Sequence, residues 1–240
     1  MYDEPVGPNR LRARELAARA LERSAPTDWF EELYREAAAG QAVVPWDDAV
    51  PNPHVARWLD RHDHAGAGRR ALDVGCGLGD TSMELSRRGF QVTAFDVAPS
   101  AVEQARARFP AAPVTWCVGD VLSPPAHWAG AFDLVVECYT LQVLPPPERA
   151  RAGAQLARLV APGGLLLVIA RARTEWDTPG NMPWPLLRQE VEALATPSLP
   201  LSSLEDFFDD ERPPVRRFVA TFGAVPARSG EAATARADDS

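Results

Sequence analysis

The segment 71–85, ALDVGCGLGDTSMEL, restricts the possible folds of this chain more than any other stretch. A short apolar run leads into glycines at 75, 77 and 79 and then into residues of helical habit. Glycine takes left-handed backbone without strain and lets a ligand approach the main chain. A strand, a glycine turn and a helix in that order form the ligand-binding end of an open α/β sheet. Asp96 closes the next apolar run, 23 residues after Asp73. That is close to the ~20-residue spacing at which an acid meets a ribose in such folds.

Strand and helix then alternate. Strands are expected at 71–75, 91–96, 113–117, 132–137 and 164–170, with helices at 80–88, 99–109 and 147–160. Most of these strands are unbroken apolar runs, as in a parallel sheet buried on both faces. Before the sheet, residues 9–24 read as an arginine- and alanine-rich helix. Its apolar face (Leu11, Leu16, Leu21) is thin, which suggests a loosely docked arm. A second helix in PTDWFEELYREAAAG has Thr27 or Asp28 as cap and Gly40 at its end, and a third is expected around Val55–Asp60. Beyond the fifth strand come a Trp/Pro-rich loop, a helix near 185–195 and two strands, 202–208 and 215–222. The expected division is a helical arm and lid over 1–60, an α/β domain over 61–225 and a disordered polar tail over 226–240.

Composition excludes several roles. A formal net charge of -8 provides no basic surface for a polyanion, so no nucleic-acid partner is expected. No run approaches the ~18 apolar residues of a membrane span, and the charged N-terminal stretch has no apolar signal core. The 3 cysteines, Cys76, Cys117 and Cys138, lack zinc-type spacing and suit free thiols in a reducing cytoplasm. His62 and His64 have no third ligand in view, so no metal is expected.

The glycine register separates the nucleotide classes. A dinucleotide fold needs G-x-G-x-x-G/A, whereas here the glycines fall at every second position and Asp80 follows, where a pyrophosphate would be repelled. A P-loop would need Gly-Lys-Ser/Thr, which is missing. A ligand with positive charge and no phosphate fits better. LDVGCGLGD, VTAFDVAPSAVEQAR, VGDVL, FDLVVECYTLQVLPP and LARLVAPGGLLLVIA, in that order over about residues 70–171, resemble the core motifs of class I S-adenosylmethionine-dependent methyltransferases.

The resemblance implies a doubly wound, mostly parallel seven-stranded sheet with an antiparallel last strand. It implies S-adenosylmethionine as cofactor, with S-adenosylhomocysteine as product. Asp73, Gly75, Cys76, Gly77 and Gly79 would hold the methionine end, Asp96 the ribose hydroxyls and Val97 the adenine face. Asp120 and the Val121 amide would meet the adenine edge, and Glu137 and Cys138 the methionine and its methyl group. Asp120 has the alternative of simply closing a turn.

The acceptor is less constrained. The turn after strand four, ECYTLQVLPP, is not the N/D-P-P-Y/F type of DNA amino-methyltransferases. His54, His62, His64 and His127 all precede strand four, so the histidine base of many O-methyltransferases is missing. A thiol needs the least help, because a few per cent is thiolate at pH 7. The flanks WFEELYREA, VPWDDAVPNPHVARWL and LEDFFDDERPPVRRFVATF resemble, more loosely, small bacterial thiol and thiopurine S-methyltransferases.

The expected reaction is therefore S-methylation of a small thiol or dithiol by a cytoplasmic monomer or homodimer. N- or O-methylation of a small metabolite is the alternative. A non-catalytic S-adenosylmethionine binder is the rival from another class, and a dehydrogenase comes third. Tyr139 is the candidate to orient or deprotonate the acceptor, with Glu137, Asp28 and Asp209 in reserve. Trp46 is expected at the cofactor, and Trp29, Tyr34, Trp176, Trp184 and Asp209 around the acceptor.

Overall fold

The computed structural model describes residues 8–62, 66–180 and 182–224. His64 and the 226–240 tail lie outside them. Three helices, α1 (Pro8–Glu22), α2 (Asp28–Ala38) and α3 (Pro53–Arg61), precede the sheet. Then follow β1 (Arg70–Val74), α4 (Asp80–Arg87), β2 (Gln91–Asp96), α5 (Pro99–Arg108), β3 (Val114–Val118), β4 (Phe132–Cys138), α6 (Pro146–Leu159) and β5 (Val160–Arg173). The chain closes with β6 (Leu186–Leu187), α7 (Arg188–Glu192), β7 (Leu201–Phe208) and β8 (Arg216–Phe222).

The sheet order is β3-β2-β1-β4-β5-β8-β7, with β6 paired to β5 off this path. Strands β1 to β5 are parallel, and β8 runs antiparallel to both β5 and β7. The seven-stranded expectation holds for the main path, and the two-residue β6 is an addition. The helix expected near 185–195 is shorter for that reason: Leu186 and Leu187 are extended against Ala172 and Arg173 before the chain turns helical.

The core follows the strand period of two. Leu72, Val74, Val135, Leu166 and Val168 pack on one face against α6, while Ala71, Leu134, Val136, Leu165 and Leu167 pack on the other with α3, α4 and α5. The Trp58 indole on α3 donates to Thr221 Oγ1 on β8 at 2.8 Å, anchoring α3 to the sheet.

α1 is not a loose arm. Ala13, Leu16, Ala17 and Ala20 are buried in one cluster with Trp29 and Leu33 of α2. Spaced at three and four residues, the alanines form a flat stripe that lets the two helices approach closely. Leu11 points away, and Arg12 adds an ion pair to Glu36. Thr27 precedes α2 but makes no side-chain cap bond, whereas Asn52 caps α3 by accepting from His54 N and Val55 N.

Strand order reverses at β1, since β2 lies on one side of it and β4 on the other. Ligands of open α/β sheets bind at such a point, beyond the carboxyl ends of the strands. Among the described residues, no helix is long and apolar enough to cross a membrane.

Candidate active site at the glycine turn

A cavity of about 300 Å³ opens at this switch point. Its wall brings together the glycine turn, the ends of β2 and β4, the loop after β3, the N-terminal helices and the 182–183 segment. Gly75, Gly77 and Gly79 all have positive φ, at 64°, 52° and 92°. They serve different neighbours. A Cβ at Gly75 would lie 2.3 Å from Thr140 Oγ1, and one at Gly79 would lie 2.5 Å from the Trp116 ring. Only at Gly77 would an added Cβ meet the N-terminal helices, 3.0 Å from Tyr34 Oη. Two of the three glycines therefore also accommodate the protein's own packing.

Asp96 spans the turn. Its Oδ2 accepts Gly77 N–H at 3.0 Å and its Oδ1 accepts Ala98 N–H at 2.9 Å. Asp96 also lines the cavity. Burial pushes its pKa up to about 6, against the pull of the backbone donors. Asp73 is likewise raised by burial to about 6, with Ser82 Oγ donating to it at 2.6 Å. Asp120 lines the cavity and accepts Leu122 N–H at 2.8 Å, so it closes a turn as well. Val97, Val121, Cys76 and Cys138 complete this end. Burial raises both thiols well above their ordinary value, which keeps them protonated.

Glu137 is displaced from its expected place. It is fully buried, off the cavity wall, and its Oε1 accepts Thr140 N–H at 2.6 Å and Leu141 N–H at 2.9 Å. It braces the turn after β4 from beneath instead of facing a methyl group. Burial raises it to about 7.

Tyr139 does line the cavity, in left-handed backbone at φ 68°. Arg217 stands 5.0 Å from its ring centroid. Burial pushes the phenol above its ordinary pKa, so it holds its proton and is no base at neutral pH. Arg217 is buried and paired with Asp209 and Glu211. Asp209 thus reaches the site only through Arg217.

The aromatic residues divide. Tyr34 and Trp46 are in the cavity wall with Phe30, whereas Trp29 is buried behind it, stacked on Phe30 at 4.0 Å. Trp176 is 92% exposed, and Trp184 packs on the α1–α2 cluster, so neither lines the cavity. From the loop after β5 the wall takes Met182 and Pro183 instead. Asp28 also stays off the wall. Thr140, Gln142 and Arg217 were missed in the sequence. Thr140 and Gln142 lie in the turn after β4, whose position was legible, but Arg217 enters from an antiparallel strand far along the chain. Among the described residues, no histidine lines the cavity and no three His, Cys, Asp or Glu side chains gather as a metal site. His62 caps α3 through Trp58 O.

Residues 71–164 match a family model described as a methyltransferase domain. The chain is 25% identical over 174 residues to the 2-heptyl-1-hydroxyquinolin-4(1H)-one methyltransferase of Mycobacteroides abscessus, covering 70% of this chain and 75% of that one. It is 39% identical over 110 residues to a ubiquinone biosynthesis O-methyltransferase of Xanthomonas oryzae pv. oryzae, but spans only 45% of that relative. The fold matches the 1,6-didemethyltoxoflavin-N1-methyltransferase of Burkholderia thailandensis, solved with S-adenosylhomocysteine, at a TM-score of 0.63 over 93% of both chains and 18% identity. It also matches, at a TM-score of 0.68 and 18% identity over 85% of this chain and 93% of the other, a structure reported for conversion of a disulfide bond into a thioacetal group in echinomycin biosynthesis.

Proposed function

From the methyltransferase domain that residues 71–164 match, we propose that the whole chain methylates a small molecule with S-adenosylmethionine as donor, the acceptor being most simply a thiol or dithiol. The residues fit the cofactor. Asp96, with two backbone-oriented oxygens, would take the ribose hydroxyls, Asp120 and Val121 the adenine edge, and Asp73 with the Gly75–Gly79 turn the methionine end. S-adenosylmethionine supplies an electrophilic methyl on a sulfonium, transferred by in-line displacement.

The protein's own part is to position and to exclude water. The N-terminal helices would act as a lid, since Phe30, Tyr34 and Trp46 line the cavity at the carboxyl ends of the strands together with Met182. Arg108 joins Asp47 of the lid loop to Asp80 of α4, at 3.2 and 3.1 Å. Tyr139, with Arg217 against its ring, would orient the acceptor with a hydroxyl that keeps its proton.

The observation that carries the acceptor reading is that, among the described residues, the cavity wall holds no histidine and its tyrosines keep their protons. Of the wall carboxylates, Asp73, Asp96 and Asp120 sit at the proposed cofactor end, Asp47 and Asp80 share Arg108, Glu211 pairs with Arg217 and Asp48 is exposed at the rim, while Glu137 is walled off. The acceptor must bring its own ionised nucleophile. A thiol with a pKa of ~8.5 does so and is intrinsically reactive. An acidic hydroxyl on a heteroaromatic ring meets the same condition, and the substrate named for the M. abscessus relative carries a ring hydroxyl. The fold neighbours concern both nitrogen and sulfur chemistry and do not choose between them.

The test is incubation with S-adenosylmethionine and a panel of thiols, ring hydroxyls, phenols and amines, read by mass spectrometry for the gain of one CH₂. Products confined to thiols support the first reading, and products confined to acidic ring hydroxyls the second. Methylation of unactivated amines or phenols would contradict both.

A further inference from the structure

The hydroxyl of Tyr34 has spent its acceptor side and kept its proton. Trp46 Nε1 donates to it at 2.9 Å, and an indole nitrogen can only donate. Among the described residues, no acceptor takes the phenol proton, although Tyr34 is only 1% exposed. A buried donor left without an acceptor costs free energy, so a native fold normally provides one or leaves it to a ligand. Burial and the nearby Asp96 charge hold this phenol well above its ordinary pKa, so the proton stays on.

Its position narrows the ligand group. Tyr34 Oη would be 3.0 Å from a Cβ at Gly77, and Trp46 Nε1 3.9 Å from the same point. The pair therefore stands directly over the middle of the glycine turn, and both residues line the cavity. Asp96, whose Oδ2 accepts Gly77 N–H at 3.0 Å, would take the ribose at one side of this turn, and Asp120 the adenine edge farther along the wall. The amino-acid end of the cofactor would lie against the glycine turn itself, and its carboxylate needs donors.

Resting on the cofactor reading above, we propose that Tyr34 donates its hydroxyl hydrogen bond to the α-carboxylate of the cofactor's methionine end, and that Trp46 holds the hydroxyl in that orientation. Tyr34 is then a cofactor residue instead of an acceptor residue. Phe30 lies one helical turn away on α2, and Glu31 on the same helix accepts from Ser100 N and Oγ at 2.9 and 2.7 Å. The same helix thus carries both the cofactor contact and the Phe30 wall of the cavity.

Calorimetry on the full chain with three ligands tests this. S-adenosylhomocysteine has the carboxylate, its decarboxylated analogue lacks only that group, and 5′-methylthioadenosine lacks the whole amino-acid end. Tyr34→Phe should weaken S-adenosylhomocysteine about ten- to hundredfold, the range for a hydrogen bond to a charged group. It should leave the other two ligands unchanged. Trp46→Phe, at a partly exposed position that does not threaten folding, should show the same pattern with a smaller loss. Equal weakening of all three ligands, or none in either variant, would overturn the proposal. If the unaltered protein bound none of the three, the cofactor reading would fail with it.

Discussion

Asp96 Oδ2 accepts the backbone N–H of Gly77 at 3.0 Å, joining the end of β2 to the turn after β1. With Ala98 N–H on its other oxygen, this acid shapes the turn as well as facing the cavity. Asp96→Ala should therefore weaken S-adenosylhomocysteine binding by ~1–3 kcal/mol and also lower Tm, because two buried N–H groups lose their acceptor. Calorimetry beside thermal melts separates the two effects. A lowered Tm with unchanged affinity would make Asp96 purely structural.

Glu137 should set a pH dependence of stability. Burial raises its folded pKa from 4.5 to about 7, so between those values the folded state holds a proton that the unfolded state has released. This contribution is fully present below about 4.5 and is lost as pH rises through about 7, amounting to roughly 3 kcal/mol. Glu137→Gln should flatten that decline in urea midpoints measured from pH 5 to 8. A decline of unchanged size would assign it to other groups.

The glycines should separate by consequence. Alanine at either Gly75 or Gly77 meets left-handed backbone, a cost of roughly 1–2 kcal/mol. At Gly75 it also meets Thr140 Oγ1, which donates to Val74 O at 3.2 Å. Gly75→Ala should thus lose more stability than Gly77→Ala, with part recovered by adding Thr140→Ala. Gly77→Ala should instead show the larger defect in cofactor affinity. Equal urea midpoints for the two variants would contradict this division.

The α/β core was legible because its signals are local: apolar runs of strand length, glycines at fixed spacing and an acid ending β2. The cavity wall formed by Asp73, Gly75, Gly77, Asp96 and Asp120 follows from the same local signals. The acceptor end was less legible because it is assembled at long range. Trp29 and Trp176 look alike in sequence as candidate walls, yet one is stacked behind Phe30 and the other is in solvent. Glu137 sits at the end of β4 as expected, but the turn at Thr140 and Leu141 captures its carboxylate. The docking of α1 was hidden by its alanines, which score as weakly apolar but pack closely against α2.

Tyr139→Phe tests positioning at the acceptor. The Tyr139 hydroxyl keeps its proton, so loss of that donor should lower kcat about tenfold, the size of one hydrogen bond. S-adenosylhomocysteine affinity should be unchanged. Full activity in the variant would remove Tyr139 from the chemistry.

The central claim is that this cavity positions an acceptor that arrives already ionised. Its most direct test is kcat/KM against pH for a series of thiols of graded acidity, with S-adenosylmethionine saturating. The rising limb should move with each thiol's own pKa and be unaffected by Glu137→Gln. A limb fixed at one pH for every acceptor would reveal a base supplied by the protein and contradict the account.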